Sequence, residues 1–313
     1  MSATTRNSSP KTISAINAIN AIDTPRRIGE RLADFFTLCK PRVNSLIVFT
    51  AMIGMFLASP DFPPFGRFLA ASAGIALVAG AAAAVNCLVE RTVDAMMVRT
   101  RWRPTARGAA SAAETMTLAM LVGGCGLWLL YALVNPLTMW LTLATFFGYA
   151  VIYTVLLKPT TPMNIVIGGA AGAMPPLLGW TAITGSVSAG ALALFLIVFV
   201  WTPPHFWALA CYRRDDYAKA GLPMLPVTHG IAHTCRHSLF YVVLLCAAST
   251  VPYAIGMSGP GYLTAAILLG AIFLGHSIAL CLRYSDALAR RTFRWSIIYL
   301  TLLFAALLAD HFA

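Results

Sequence analysis

Residues 68–94 read FLAASAGIALVAGAAAAVNCLVERTVD, and the reading of this stretch decides the fold. Positions 68–89 are apolar apart from two small polar interruptions, Ser72 and Asn86. At 1.5 Å per residue, about 20 helical residues cross a hydrocarbon core of about 30 Å, so the run is read as a membrane span. It ends in Asn86, Glu90 and Asp94, four residues apart, which places an amide and two carboxylates on one helical face. Acids suit helix starts, where the dipole is positive, and these sit at a helix end. That conflict favours a functional role over a capping role. Arg91 to Arg107 then supplies five arginines and Pro104. Oxygen ligands ringed by arginines suit a divalent cation that holds a diphosphate.

The rest of the chain has the same character. Its 313 residues are 59% hydrophobic and 11% charged, with a mean hydropathy of +0.76, whereas soluble domains carry about 25% charged residues. Nine apolar runs can be traced, at 44–58, 68–89, 113–134, 137–157, 163–183, 189–210, 238–256, 261–282 and 294–310. The expected fold is therefore an all-α integral membrane protein with nine transmembrane helices.

Charge placement tests this partition independently. Of the 22 Lys and Arg residues, all except Arg67 precede the first span or fall in the loops after spans two, four, six and eight. Nine antiparallel helices put those regions on one side, which the positive-inside rule makes the cytoplasm. The amino terminus is then cytoplasmic and the carboxyl terminus outside. The net charge of +11 reports topology and contact with the lipid bilayer, and nucleic acid is not an expected partner.

Residues 1–36 differ in composition and are read as a flexible cytoplasmic tail, leaving 37–313 as the polytopic membrane domain. Ile13, Ile16, Ile19 and Ile22 recur every three residues, with no apolar core long enough for a cleavable signal. An organelle transit sequence is an alternative reading of this segment. The seven cysteines include no CxxC pair and read as small buried hydrophobes.

The longest basic loops follow spans two and six. A repeat of four spans suggests two parallel four-helix halves plus a ninth helix around a central cavity. Gly168, Gly169, Gly172 and the Pro175–Pro176 pair punctuate span five, and Pro203–Pro204 punctuate span six just before His205. Irregular backbone at membrane depth survives where it lines a cavity or is buried in protein. Close packing through small residues explains the glycines equally well.

After span six comes Cys211-Tyr-Arg213-Arg214-Asp215-Asp216-Tyr217-Ala-Lys219. Adjacent carboxylates repel unless a cation or base lies close, so Asp215 and Asp216 form a candidate second ligand set. Salt bridging to Arg213, Arg214 and Lys219 on a solvated loop is the alternative.

Asn-x3-Glu-x3-Asp after span two, with acids after span six, resembles the UbiA-type intramembrane prenyltransferase superfamily. Cys39-Lys40-Pro41-Arg42-Val43, Arg99-Thr100-Arg101 with Arg103-Pro104, Lys158-Pro-Thr-Thr-Pro-Met-Asn164, Thr202-Pro-Pro-His205-Phe-Trp and Met224-Leu-Pro-Val are similar to its haem-modifying branch. The resemblance runs from about residue 37 to residue 310. Two positions depart from the superfamily pattern: Glu90 stands where Asp is common, and Lys219 replaces the second acid of an Asp-x3-Asp.

The resemblance implies transfer of a farnesyl group from farnesyl diphosphate to a vinyl group of haem B, with addition of water and release of diphosphate. It implies Mg²⁺ as cofactor, held by the catalytic set Asn86, Glu90, Asp94, Asp215 and Asp216. Diphosphate contacts fall to Arg99, Arg101, Arg103, Lys158, Arg213 and Lys219. Arg42, Tyr153, Asn164, His205 and Tyr217 are the candidates on the prenyl and haem side. The implied setting is a bacterial inner membrane, with a mitochondrial inner membrane as the lesser alternative and a haem A synthase as a possible partner.

Several roles stay open. Tyr153 stabilises the allylic cation or anchors the helix at the interface. His205 ligates haem iron or hydrogen-bonds carbonyls freed by the prolines. His229, His233 and His237 are expected in a polar cytoplasmic loop. A superfamily enzyme acting on a quinone precursor or a chlorophyll-like acceptor would keep the first motif and show a fuller Asp-x3-Asp. A transporter would place its ionisable groups near the midplane, and a haem-protein assembly factor would not need Asp94.

Overall fold

The computed structural model describes residues 27–313, which are helical with no strand among the described residues. The chain runs α1 (Ile28–Leu38), α2 (Pro41–Leu57), α3 (Phe65–Val89), α4 (Arg91–Met96), α5 (Ala112–Leu133) and α6 (Pro136–Phe147). A π-helical segment, Gly148–Leu157, continues α6. Then come α7 (Asn164–Thr184), α8 (Ala189–Tyr212), α9 (Arg214–Lys219), α10 (Leu225–Thr228), α11 (Gly230–Ala254), α12 (Pro260–Leu282) and α13 (Asp286–His311). Among the described residues, eight helices are long and apolar enough to span a membrane, and Pro41–Leu57 is a shorter apolar one.

Helix starts follow local chemistry. Ser111 and Glu114 form a capping box on α5, and Ser188 and Ser285 accept backbone N–H bonds at the starts of α8 and α13. Pro41, Pro136 and Pro260 each occupy a first turn, where a missing N–H costs nothing. Asp310 of α13 accepts N–H bonds from Gly259 and Tyr262, so the chain's last helix caps α12.

Helix α3 packs on α5, α2 on α7, α8 on α7, α11 and α13, and α12 on α11 and α13. The α2–α7 crossing is set by two glycines. A Cβ on Gly54 would lie 2.1 Å from the Pro176 carbonyl oxygen, and one on Gly179 would lie 1.9 Å from that of Ala51. Only backbone meets backbone there, as expected where small residues drive helix association in lipid.

Three expectations shift. The Pro175–Pro176 and Pro203–Pro204 pairs lie inside continuous helices, and the irregular backbone falls on the π segment instead. Span seven begins at Gly230 rather than 238, so His233 and His237 are helical, with ring centroids 4.1 Å apart, and His229 at the cap stacks on His233. Residues 28–36, read as the end of the tail, lie in the helix Ile28–Leu38, which Arg31–Glu114 and Arg107–Asp34 ion pairs join to the membrane unit. Residues 1–26, with the isoleucine repeat, lie outside the described residues.

Candidate active site

Helix α3 stops at Val89 and α4 starts at Arg91, yet Glu90 N–H reaches Asn86 O at 3.0 Å and Asp94 N–H reaches Glu90 O at 2.7 Å. The four-residue register survives the break. Asn86, Glu90 and Asp94 are only 2%, 7% and 2% exposed. Buried polar groups at this density need partners, and each has a cation or donor of its own.

Asn86 Oδ1 accepts from Lys40 Nζ at 2.5 Å, while its Nδ2 donates to Glu90 Oε1 and Thr154 Oγ1, both at 3.0 Å. Glu90 Oε1 also accepts from Lys158 Nζ at 2.5 Å. Asp94 Oδ2 accepts from Arg103 Nη1 at 2.6 Å. Thr100 and Thr105 tie the arginine loop back through their hydroxyls, to Asp94 O at 3.1 Å and Cys87 O at 2.9 Å. Three oxygen-bearing side chains thus face three cations from three separate loops.

The sequence reading favours Arg42 and passes over its neighbour Lys40. Arg42 is exposed, whereas the Lys40 amine reaches the motif. Lys40 is the only non-glycine residue with positive φ among the described residues, at φ 49° and ψ 60°. That conformation costs about 1–2 kcal/mol for an L-residue and is tolerated where surroundings over-determine it. The available signal is Pro41: a proline in the first helical turn makes Lys40 the cap residue, on the same side as the acids. Burial pulls the Lys40 amine down to about 8. For Glu90, burial would raise the carboxyl, but Lys158 outweighs it by charge and hydrogen bond, with Lys40 and Arg103 adding, and the net direction is down.

The π segment explains how Lys158 arrives. Its i→i+5 winding widens each turn, a device often found at functional sites. Tyr149 and Tyr153 stack at 5.7 Å, and Thr154 Oγ1 donates to Tyr149 O, five residues back, at 2.8 Å. Tyr153 lies over Gly168 of α7, where a Cβ would come within 2.1 Å of the ring.

The second motif stands apart. Asp215 has an 81% exposed side chain beside Arg214, and Asp216, at 21%, pairs with Arg213 at 3.3 Å. Both acids thus pair within their own helix and its cap, and Arg99, Arg101 and Lys219 are exposed. Tyr217 is buried with Met97, Trp207, Met224 and Leu225, in a cap that joins the two acidic loops. Asn164 is fully buried, donating to Thr161 O at 2.6 Å and towards Met224 Sδ at 3.9 Å. Among the described residues, no group of three or more His, Cys, Asp or Glu has metal-holding geometry. The first motif still fits a hard divalent cation by donor chemistry, since its oxygens are converged, buried and already matched to positive charge. An apolar groove of about 380 Å³ is lined by Phe36, Cys39, Val48, Phe49 and Met52 among others.

A spanning helical bundle with buried oxygen donors and cations converged at one end defines a class of membrane enzyme, and residues 47–303 match the UbiA prenyltransferase family, to which this chain belongs. It is 73% identical over 283 residues to the protoheme IX farnesyltransferase of Dechloromonas aromatica (strain RCB), covering 90% of this chain and 95% of that one. Among solved structures, a digeranylgeranylglyceryl phosphate synthase superposes with a TM-score of 0.77 at 18% identity, covering 90% and 99%. A UbiA homolog from Archaeoglobus fulgidus, bound to DMAPP and Mg²⁺, superposes with a TM-score of 0.59 at 14% identity, covering 88% and 99%. The chain is a multi-pass membrane prenyltransferase.

Proposed function

We propose that this protein transfers the farnesyl group of farnesyl diphosphate to a vinyl group of haem B, giving the hydroxyethylfarnesyl haem and diphosphate. The carrying observation is the buried convergence of Asn86, Glu90 and Asp94 with Lys40, Lys158 and Arg103, in a chain so similar to a protoheme IX farnesyltransferase. A divalent cation, Mg²⁺ in this reading, supplies charge to the departing diphosphate when bound by Asn86, Glu90, Asp94 and Asp216. Lys40, Lys158 and Arg103 bind the same anion, and Arg99, Arg101, Arg213 and Lys219 attract it from the cytoplasmic mouth.

The farnesyl C1–O bond breaks with its electron pair leaving on diphosphate. The haem vinyl then supplies the electrons of the new C–C bond, and water adds to the resulting haem-side cation with loss of a proton. Tyr149 and Tyr153 offer ring faces to the allylic cation, each such contact being worth about 0.5–2 kcal/mol. The apolar groove lined by Phe36, Val48, Phe49 and Met52 takes apolar chain. His205 ligates the haem iron from α8, and Asn164 and Tyr217 hold the cap over the acceptor.

In this reading residues 37–313 form the membrane unit, with nine spans once Pro41–Leu57 is counted and the basic loops cytoplasmic. The packing pairs α3–α5 and α8–α11, and α2–α3 and α7–α8, repeat at a step of four spans and support two parallel halves plus α13. The protein in nanodiscs, given haem B, farnesyl diphosphate and Mg²⁺, is expected to yield haem heavier by one farnesyl and one hydroxyl group. Prenylation of an aromatic acid with unmodified haem would overturn the reading in favour of a quinone-precursor enzyme.

A further inference from the structure

His205 of α8 has its Nδ1 2.7 Å from Ser296 Oγ on α13. The same oxygen lies 2.7 Å from the carbonyl oxygen of Phe293. A carbonyl only accepts, so the single Ser296 proton goes to Phe293, and the Ser296 oxygen meets Nδ1 as an acceptor. We infer from this proton placement that Nδ1 carries the imidazole proton and Nε2 keeps a bare lone pair. No hydrogen-bond partner of Nε2 is found among the described residues, and His205 as a whole is 8% exposed.

The ring plane is fixed as well. Trp201 stacks on it at 4.3 Å and 20°, and Phe293 at 4.7 Å and 28°. Trp201 is itself held by α13, donating its indole N–H to Ser296 O at 2.8 Å. Helix α13 thus sets both the tautomer and the orientation of one imidazole on α8. A ring held by a donor bond at one nitrogen, with a lone pair at the other, is the arrangement metal-ligating histidines need.

We propose that Ser296 is a positioning residue for the haem substrate, locking His205 in the Nδ1–H tautomer so that Nε2 is presented to the iron. This rests on the reading of His205 as the iron ligand. The chain from Nδ1–H through the Ser296 hydroxyl to the Phe293 carbonyl also raises the basicity of Nε2, as outer-shell partners of ligating histidines do. Without the hydroxyl, the two tautomers exchange and the ring loses its stop.

The test uses the full chain in nanodiscs, titrated with ferric haem B and read by Soret absorption and low-temperature EPR. Ser296→Ala is expected to weaken haem binding by about 10–100-fold and to alter the histidine-ligated signature, and Ser296→Thr to restore both. His205→Ala separates the two layers. An unchanged spectrum in His205→Ala removes the iron-ligand reading and the Ser296 proposal with it. A changed spectrum there with wild-type binding and signature in Ser296→Ala removes Ser296 alone. Should Ser296→Ala fail to fold, ¹⁵N spectra of histidine-labelled wild-type protein without haem decide the matter. A His205 proton on Nδ1 supports the proposal, and one on Nε2 overturns it.

Discussion

Lys40 Nζ lies 2.5 Å from Asn86 Oδ1, linking the loop before α2 to the last turn of α3, 46 residues away. The bond gives a strained backbone position a purpose. Its charge and its conformation can be separated by substitution. Lys40→Gly relieves the positive φ and is expected to leave the melting temperature within a few degrees, while kcat/KM for farnesyl diphosphate falls about 10²–10³-fold, the scale of losing one preorganised charge stabiliser. Wild-type kcat/KM in Lys40→Gly would remove Lys40 from the site.

Asp94 and Arg103 form a mostly buried pair at 2.6 Å. Asp94→Asn is expected to abolish nearly all turnover in protein that still folds. Arg103→Gln leaves Asp94 uncompensated and is expected to destabilise by up to about 3 kcal/mol, so the double variant should be more stable than Arg103→Gln alone. Thermal melts of the four proteins in one detergent, with turnover alongside, check both statements.

Exposure separates the adjacent acids of α9. Asp215→Ala is expected to retain turnover within about threefold, as isolated surface substitutions usually do, and Asp216→Ala to raise the Mg²⁺ concentration needed for half-maximal rate about 10-fold or more. Equal losses in the two variants would show that both carboxylates enter the site.

Chelation should stop catalysis without unfolding. Glu90 and Asp94 are already neutralised by Lys158 and Arg103, so removal of divalent ions leaves no unpaired buried charge. With EDTA, turnover is expected to vanish and return on adding Mg²⁺, while the near-UV circular dichroism and the melt stay unchanged. A cooperative loss of structure in EDTA would mean that the ion is structural.

Two glycines of α7 have opposite consequences. Gly179→Ala drives a methyl into the Ala51 carbonyl, and with backbone on both sides nothing can yield, so a loss of about 2 kcal/mol or more in stability is expected. Gly168→Ala meets the Tyr153 ring, a side chain able to rotate. There the melt should change little while kcat falls, since the ring leaves its place beside the site. A fall in stability with normal kcat in Gly168→Ala would assign Tyr153 to packing alone.

Much of the first motif is legible in the sequence. Asn86, Glu90 and Asp94 share a helical register of four, and register is a local property, so their common face follows from spacing. The sign of their charges marks the neighbouring basic loops as partners without singling out Arg103 or Lys158. The roles of the cations within the loop are not legible: Arg99, Arg101 and Arg103 alternate identically in sequence, and only the fold buries Arg103 against Asp94. His233 and His237 are misread as loop residues because Gly230 is a loop signal, whereas here it opens a helix extended by packing on α8.

Composition and hydrophobic run length by themselves determined a polytopic helical membrane protein, and the motif strings determined its family, because both are written in short contiguous stretches. Tertiary structure decided that Lys40 reaches Asn86, that Asn86 bonds Thr154, that Asp216 turns further inward than Asp215, and that Ser296 bonds His205. Each of these depends on a close approach of segments 46 to 91 residues apart, or on which side of a loop turns inward. Such contacts are fixed by helix crossings such as Gly54–Pro176 and by the wider winding of 148–157, whose geometry no local pattern encodes.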